Sequence, residues 1–271
     1  MFKQYANKQI ALPSDHGSWI FLFSPLLIGI TAGGQFSNTQ LWLVVSLLSV
    51  FLLRQPASIL VKSMSGRRTK KDQPAAVFWI CVYGLIGLIG GFALILQKAV
   101  YIFWLALPGL LVFGWHLWLV SKRRERRQMG VDVLASGTLA LAAPAAYWIS
   151  AGGIDPVGWW LWILTWLQSA ASIVYAFLRL EQRELKAEPG DKNKLQMGRR
   201  ALMYGGFNLG LAAVAAAVGW LPIWIWIPYL VQFVEVVWGT FRPAIGWKPT
   251  SIGLRQLAVS SIFTLLFMLL W

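Results

Sequence analysis

The sequence predicts an all-α, polytopic membrane protein: one transmembrane domain over residues 1–271, built from about nine helices. Three observations carry that expectation. The chain is 58% hydrophobic and 13% charged, with a mean hydropathy of +0.61, beyond the range of ordinary soluble domains. Its apolar residues gather in runs of bilayer-spanning length. Its basic residues alternate between loops, so that all but one can be placed on one side of a membrane.

The apolar runs fall at about 18–34, 38–53, 76–96, 99–120, 132–150, 157–178, 202–219, 220–240 and 254–271. The first follows roughly seventeen mostly polar residues, read as a retained segment because it lacks the charge and apolar pattern of a cleaved signal. It opens at Pro13-Ser14-Asp15-His16-Gly17-Ser18-Trp19, where Ser14 or Asp15 can cap the helix by accepting from an orphan backbone N–H. The second run is short and stops at Arg54-Gln55-Pro56. A separate amphipathic piece is expected from Pro56, which suits a first helical turn, to Gly66, which suits a C′ position. The third and fourth runs form a hairpin turning near Gln97-Lys98-Ala99. The seventh and eighth form another, turning at Leu221-Pro222. Between the sixth and seventh, Arg179, Glu181, Arg183, Glu184, Lys186, Glu188, Asp191 and Lys192 alternate in sign, the pattern of a solvated helical extension.

Nine helices put 23 of the 24 basic residues on the side of the N-terminus, leaving Lys98 on the other. That side is then cytoplasmic. Trp148, Trp159, Trp160, Trp220 and Trp224 are expected at the outer interface, and Trp19, Trp238 and Trp247 at the inner one, as aromatic anchors. The single cysteine, Cys81, excludes an intramolecular disulfide. Too few His, Cys and Met residues are present for a haem or metal centre, and no metal ligand set is expected. No phosphate-binding loop, hydrolase or dinucleotide motif occurs. No nucleic-acid partner is expected either, the partners being membrane lipid.

Candidate site residues fall in three groups. Arg54, Lys62, Arg67 and Arg68, around the second loop, offer guanidinium and ammonium donors for phosphate. Arg179 and Arg242 join them as candidate anion-binding residues at membrane edges. Topogenic charge is the alternative reading for this group, as it is for the run at 122–127. Glu235, with Gln232 one turn before it, lies inside the eighth run, and an ionisable group there faces a cavity or a partner. Arg242 and Arg179 are the expected partners if the role is structural. Asp15, His16 and Glu235 are the candidate proton-transfer residues, an imidazole beside a carboxylate being a versatile acid–base pair. Asn208, Gln168 and Gln232, with Ser169, Ser172 and Tyr175, are the candidate polar lining of one cavity. His116, flanked by Trp115 and Trp118, is expected to pack between helices.

The Asp15-His16-Gly17 opening, the Arg54-Gln55-Pro56 step and the Lys248-Pro-Thr-Ser-Ile-Gly-Leu-Arg255 approach to the last helix resemble the YwiC-like family of bacterial membrane proteins. The resemblance implies a bacterial cytoplasmic (inner) membrane protein. The nine-helix plan is also similar to the UbiA-type intramembrane prenyltransferases, which hold a polyprenyl diphosphate through Mg²⁺ on two aspartate-rich loops. Here the corresponding loops carry Asp72 alone, and Glu181, Glu184, Glu188 and Asp191 at a different spacing. Mg²⁺ therefore enters only through that resemblance. The leading expectation is a UbiA-like bundle whose cytoplasm-facing cavity binds an amphipathic anion, an isoprenoid or lipid phosphate, with a lipid-modifying activity such as prenyl transfer as one outcome. A transporter or exporter of an organic anion or lipid, and a non-catalytic partner of a respiratory complex, are the alternatives. Substrate and oligomeric state are not legible.

Overall fold

The computed structural model of the chain describes residues 8–13, 16–123 and 128–271. Among these no strand occurs, and the helices are α1 (Lys8–Ala11), α2 (His16–Ala32), α3 (Asn38–Met64), α4 (Gln73–Leu96), α5 (Ala106–Ser121), α6 (Met129–Ala140), α7 (Ala142–Ala151), α8 (Pro156–Gln182), α9 (Asp191–Ala217), α10 (Trp226–Phe241) and α11 (Pro249–Leu270). The protein is all-helical, and six segments are long and apolar enough to cross a membrane: Asn38–Met64, Lys70–Leu96, Val100–Ser121, Met129–Ala151, Pro156–Gln182 and Pro249–Leu270. It is a multi-pass membrane protein. The other three apolar runs lie in α2, 17 residues long, in α10, 16 residues long, and in α9, whose first turns are charged. Six of the nine expected crossings therefore meet the full length and apolarity among the described residues.

Local chemistry explains most of the boundaries. Ser37 and Gln40 form a capping box at the start of α3, each side chain satisfying the other's backbone N–H. At the other end Gly66 has φ +70°, and the Gly66 and Arg67 N–H groups bond back to Ser63 and Lys62 carbonyls. This is a Schellman closure, so Gly66 has the expected role. Pro56 does not. It sits inside one continuous 27-residue helix rather than starting a new one. Burial holds the helix together there: Ile59 packs with Ile10, Ala75 and Ala76, and Gln55 Nε2 donates to the Gln9 carbonyl at 3.0 Å.

Asp155 caps α8 by accepting from Val157 N–H at 2.8 Å, with Pro156 following. The fifth run divides at Leu141 into α6 and α7. Pro144 has no N–H for the Ala140 carbonyl and its ring crowds that carbonyl. The alternating-charge segment is not a helical extension. Helix α8 stops at Gln182 and α9 begins at Asp191, because Pro189-Gly190 interrupts the chain between them.

Helices α2 and α7 stand between two groups, packing on each other, with α2 also against α11, α6 and α8. On one side, α3, α4 and the turn at 100–105 share a core with α2 and α7 around Leu22, Leu43, Phe51 and Trp148, and α5 packs on α3. On the other, α8, α9, α10 and α11 close around Leu161, Tyr229, Phe263 and Phe267. Trp148 is 1% exposed and donates Nε1–H to the Asp155 carbonyl at 2.8 Å. It is a core residue, not the interfacial anchor expected. Trp159, Trp220 and Trp224 are exposed as anchors should be.

Candidate functional site

Helix α8 presents one polar face inside the bundle: Thr165, Gln168, Ser169, Ser172, Tyr175, Arg179 and Gln182, all buried. Steps of three and four residues keep them on one side of the helix. At 1.5 Å per residue the face runs about 26 Å, most of a bilayer core. Such a stripe is costly in lipid unless neighbours satisfy it.

The neutral half is met by α9, α10 and α11. Gln232 Nε2 donates to the Gln168 carbonyl at 3.1 Å, and Gln168 Nε2 to Ser260 Oγ at 3.3 Å. Ser172 Oγ donates to Gln256 Oε1 at 3.0 Å. Asn208 Nδ2 donates to the Leu167 carbonyl at 2.7 Å, while its buried Oδ1 has no partner among the described residues. The Ser24 and Thr264 hydroxyls, bonded to each other, continue the polar line toward α2. The expected lining residues Gln168, Gln232 and Asn208 therefore do lie together.

The charged half is the centre of the site. Arg255 of α11 grips Glu235 of α10 side-on, Nε to Oε1 at 2.6 Å and Nη2 to Oε2 at 2.8 Å. Tyr175 Oη donates to the same Oε1 at 2.9 Å. The Arg255 guanidinium lies 3.7 Å from the Trp238 ring centroid. The partner of Glu235 is thus Arg255, not the expected Arg242 or Arg179. Glu235 is the less exposed of the pair, with side-chain exposures of 11% and 35%.

Arg179 lies one helical turn beyond Tyr175 and is 1% exposed. Its Nη1 donates to Gln182 Oε1 at 2.9 Å, the Gly239 carbonyl at 2.8 Å and the Arg242 carbonyl at 2.7 Å. The rings of Tyr175, Trp238 and Trp247 surround it with centroids at 5.9, 5.5 and 5.0 Å from Cζ. Its acceptors are all neutral, and Nη2 is buried with no hydrogen-bond partner among the described residues. The cluster thus holds two guanidiniums and one carboxylate, which pairs only with Arg255, leaving a net positive charge. Gly239 makes the close approach possible, because a Cβ there would collide with the Tyr175 hydroxyl. Trp238, 38% exposed, and Trp247, half-buried, expected as interfacial anchors, also form walls of the cluster. Arg242 has an exposed side chain and contributes only its carbonyl.

The basic residues of the second loop are arranged differently. Arg54 lies over the Phe51 ring at 5.5 Å and reaches Ser18 Oγ at 3.5 Å. Lys62 follows eight residues later, about 12 Å along the helix axis. Arg67 Nε is 3.4 Å from Ser65 Oγ, and Arg68 pairs with Asp72 at 2.6 Å. Arg68 is therefore already neutralised. Asp15 and the side chain of His16 lie outside the described residues; Trp19 and Phe51 meet edge to face at 4.9 Å. His116 is half-buried on α5. Among the described residues no group of three His, Cys, Asp or Glu side chains is placed to hold a metal ion. The UbiA-like aspartate loops thus have no counterpart among them.

The profile of the family described as YwiC-like protein matches residues 12–147. The chain belongs to the YwiC-like family. No curated protein and no solved structure matches it. The matched stretch takes in the Asp15-His16-Gly17 opening and the Arg54-Gln55-Pro56 step. Tyr175, Arg179, Glu235 and Arg255 lie beyond it, as does the 248–255 approach. In this YwiC-like chain the charged cluster belongs to the unmatched half.

The sequence offers Arg179 as a partner for Glu235 and Tyr175 as polar lining near it, but it does not point to Arg255. A signal was available in the spacing. Tyr175, Arg179 and Gln182 are at i, i+4 and i+7 on α8, and Glu235, Trp238, Gly239 and Arg242 are at i, i+3, i+4 and i+7 on α10. Arg255, counted only as topogenic charge, was the residue missed.

Proposed function

We propose that this protein binds an amphipathic anion, a phosphate-bearing lipid or isoprenoid, at the cluster of Arg179, Arg255, Glu235 and Tyr175. The observation that carries this reading is Arg179: a buried guanidinium with one nitrogen unpartnered and only neutral acceptors. A cation so placed is expensive to keep in a membrane bundle, and fixed Arg donors are suited to phosphate oxygens. The charge pattern supports a reading with this end of the bundle at the cytoplasmic leaflet of a bacterial inner membrane and the N-terminus on the same side. The apolar tail of the ligand would lie along the lipid-facing side of α9 and α10.

Arg54, Lys62 and Arg67 form a second basic zone at the same leaflet. There they attract anionic headgroups, each basic residue near the surface adding about 1 kcal/mol. Asp15 and His16 are the candidates for proton transfer should a lipid-modifying reaction occur.

Transport of the same anion is the second reading, favoured by the buried polar face of α8, which continues from Arg179 to Thr165 through most of the bundle. An enzyme acting at the leaflet has no need of so long a polar line. A transporter does.

The test is thermal stabilisation of the detergent-purified protein by lipid phosphates, diphosphates and zwitterionic phospholipids, repeated on Arg255→Gln and Arg67→Ala. Stabilisation by the anionic class that is lost in Arg255→Gln supports the site. Loss in Arg67→Ala alone would move it to the second loop. No stabilisation by any anion would overturn the reading. Flux of the stabilising lipid in proteoliposomes then separates transporter from binding protein or enzyme.

A further inference from the structure

Resting on that anion-site reading, we infer that Glu235 is a built-in surrogate for the ligand's anionic group, so that binding one anion is coupled to uptake of one proton. Arg255 offers its guanidinium edge in the bidentate manner that a phosphate would use, but Glu235 already occupies both donors at 2.6 and 2.8 Å. Only one anion can hold that edge. An incoming headgroup therefore has to displace the carboxylate.

Displacement leaves Glu235 in a poor place. Its side chain is 11% exposed, and its one other hydrogen bond among the described residues is from the Tyr175 hydroxyl. A buried carboxylate with no hydrogen-bonded cation is costly, and taking a proton from water removes that cost. Tyr175 can remain bonded throughout, because a phenol both donates and accepts. The unpartnered Nη2 of Arg179, one turn along α8, supplies a donor that the carboxylate does not use.

Among the described residues, the charged and titratable groups that interact with Glu235 are Tyr175 and Arg179 on α8 and Arg255 on α11. On its own helix, Arg242 follows two turns later with an exposed side chain. Both arginines stay charged. The sum is one monoanion and one proton gained together, with no change in net charge and no covalent step.

The coupling also explains the arrangement of two arginines around one acid. With the ligand absent, Glu235 neutralises one of them. With it bound, the ligand does so, and the protonated acid becomes a neutral hydrogen-bonding group.

The test uses the full-length protein in detergent and short-chain phosphatidylglycerol, a phosphodiester whose own charge is constant between about pH 5 and pH 8. Affinity is measured across that range for the wild type and Glu235→Gln. Proton uptake by the wild type on lipid addition is followed with an indicator dye in weak buffer. The expected result is wild-type affinity falling by about tenfold per pH unit, the slope of one proton per anion, with one proton taken up per lipid bound. Glu235→Gln, if it folds, should bind with a flat pH profile and more tightly at neutral pH. Binding by the wild type without pH dependence or proton uptake would overturn the coupling and leave the anion site standing. The same slope in Glu235→Gln would also overturn it. No binding by either protein at any pH would overturn the anion site itself, and the coupling with it.

Discussion

Replacing Arg179 by Met distinguishes a guanidinium kept for a ligand from one kept for the fold. The arginine shares Nη1 among three neutral acceptors at 2.7–2.9 Å, and hydrogen bonds from a charged donor contribute about 1.5–3 kcal/mol each. Their loss sets the cost. Against it stand the desolvation of a fully buried cation, several kcal/mol, and the unpartnered Nη2, about 1–3 kcal/mol. Met fills similar volume among Tyr175, Trp238 and Trp247 and makes favourable sulfur–aromatic contacts. The Gly239 carbonyl keeps a bond from Gln182 Nε2 at 3.1 Å. The opposing contributions nearly cancel, so Arg179→Met should change stability by no more than about 1 kcal/mol, or about 2–4 °C in Tm by the scaling of domains this size. Stabilisation by anionic lipid should disappear. The assay is a detergent melt with and without lipid. A loss of more than about 3 kcal/mol, the range for breaking a buried charged contact that the fold depends on, would refute the reasoning and make Arg179 a structural tie between α8 and α10.

Other consequences follow from the packing and from the charge pattern. Gly239→Ala drives a Cβ into the Tyr175 hydroxyl, so it should destabilise by about 1–3 kcal/mol and weaken anion stabilisation. Adding Tyr175→Val should restore part of the melting temperature. Ser37→Ala removes one arm of the capping box of α3 and should cost about 0.5–2 kcal/mol in the same melt, with lipid stabilisation intact. In a Cys81→Ser background, Ile154→Cys in the turn between α7 and α8 should react with an impermeant maleimide added to intact cells. Glu184→Cys, between α8 and α9, should react only after the membrane is opened; the reverse pattern would invert the orientation.

Much of the fold was legible because its signals are local. Uninterrupted apolar runs mark helices whatever their neighbours, and Gly66, Pro156 and Pro249 sit at helix ends for reasons confined to a few residues. The continuous α3 was not legible, since Pro56 argues for a break and only packing of Ile59 on Ile10 and Ala76 overrides it. The break at Leu141 is signalled by Pro144, a helix-breaking residue, but apolarity continues through it, so the stretch 132–150 reads as one crossing. The site was legible in parts. Glu235 stands out as a carboxylate inside an apolar run, and the polar positions of α8 are visible as a periodic set. Pairing is a tertiary property, however, and nothing near Glu235 in sequence selects Arg255 over Arg242. Trp238 and Trp247 were indistinguishable from interfacial anchors, because a tryptophan over a guanidinium and one at a headgroup have the same local sequence.

The most direct measurement is native mass spectrometry of the protein extracted gently from its own membrane, comparing wild type with Arg255→Gln. The account predicts that the wild type retains a phosphate-bearing lipid or isoprenoid of defined mass, and that Arg255→Gln loses that species while keeping its bulk zwitterionic lipid. The same retained lipids in both proteins, or no anionic species on the wild type, would contradict it.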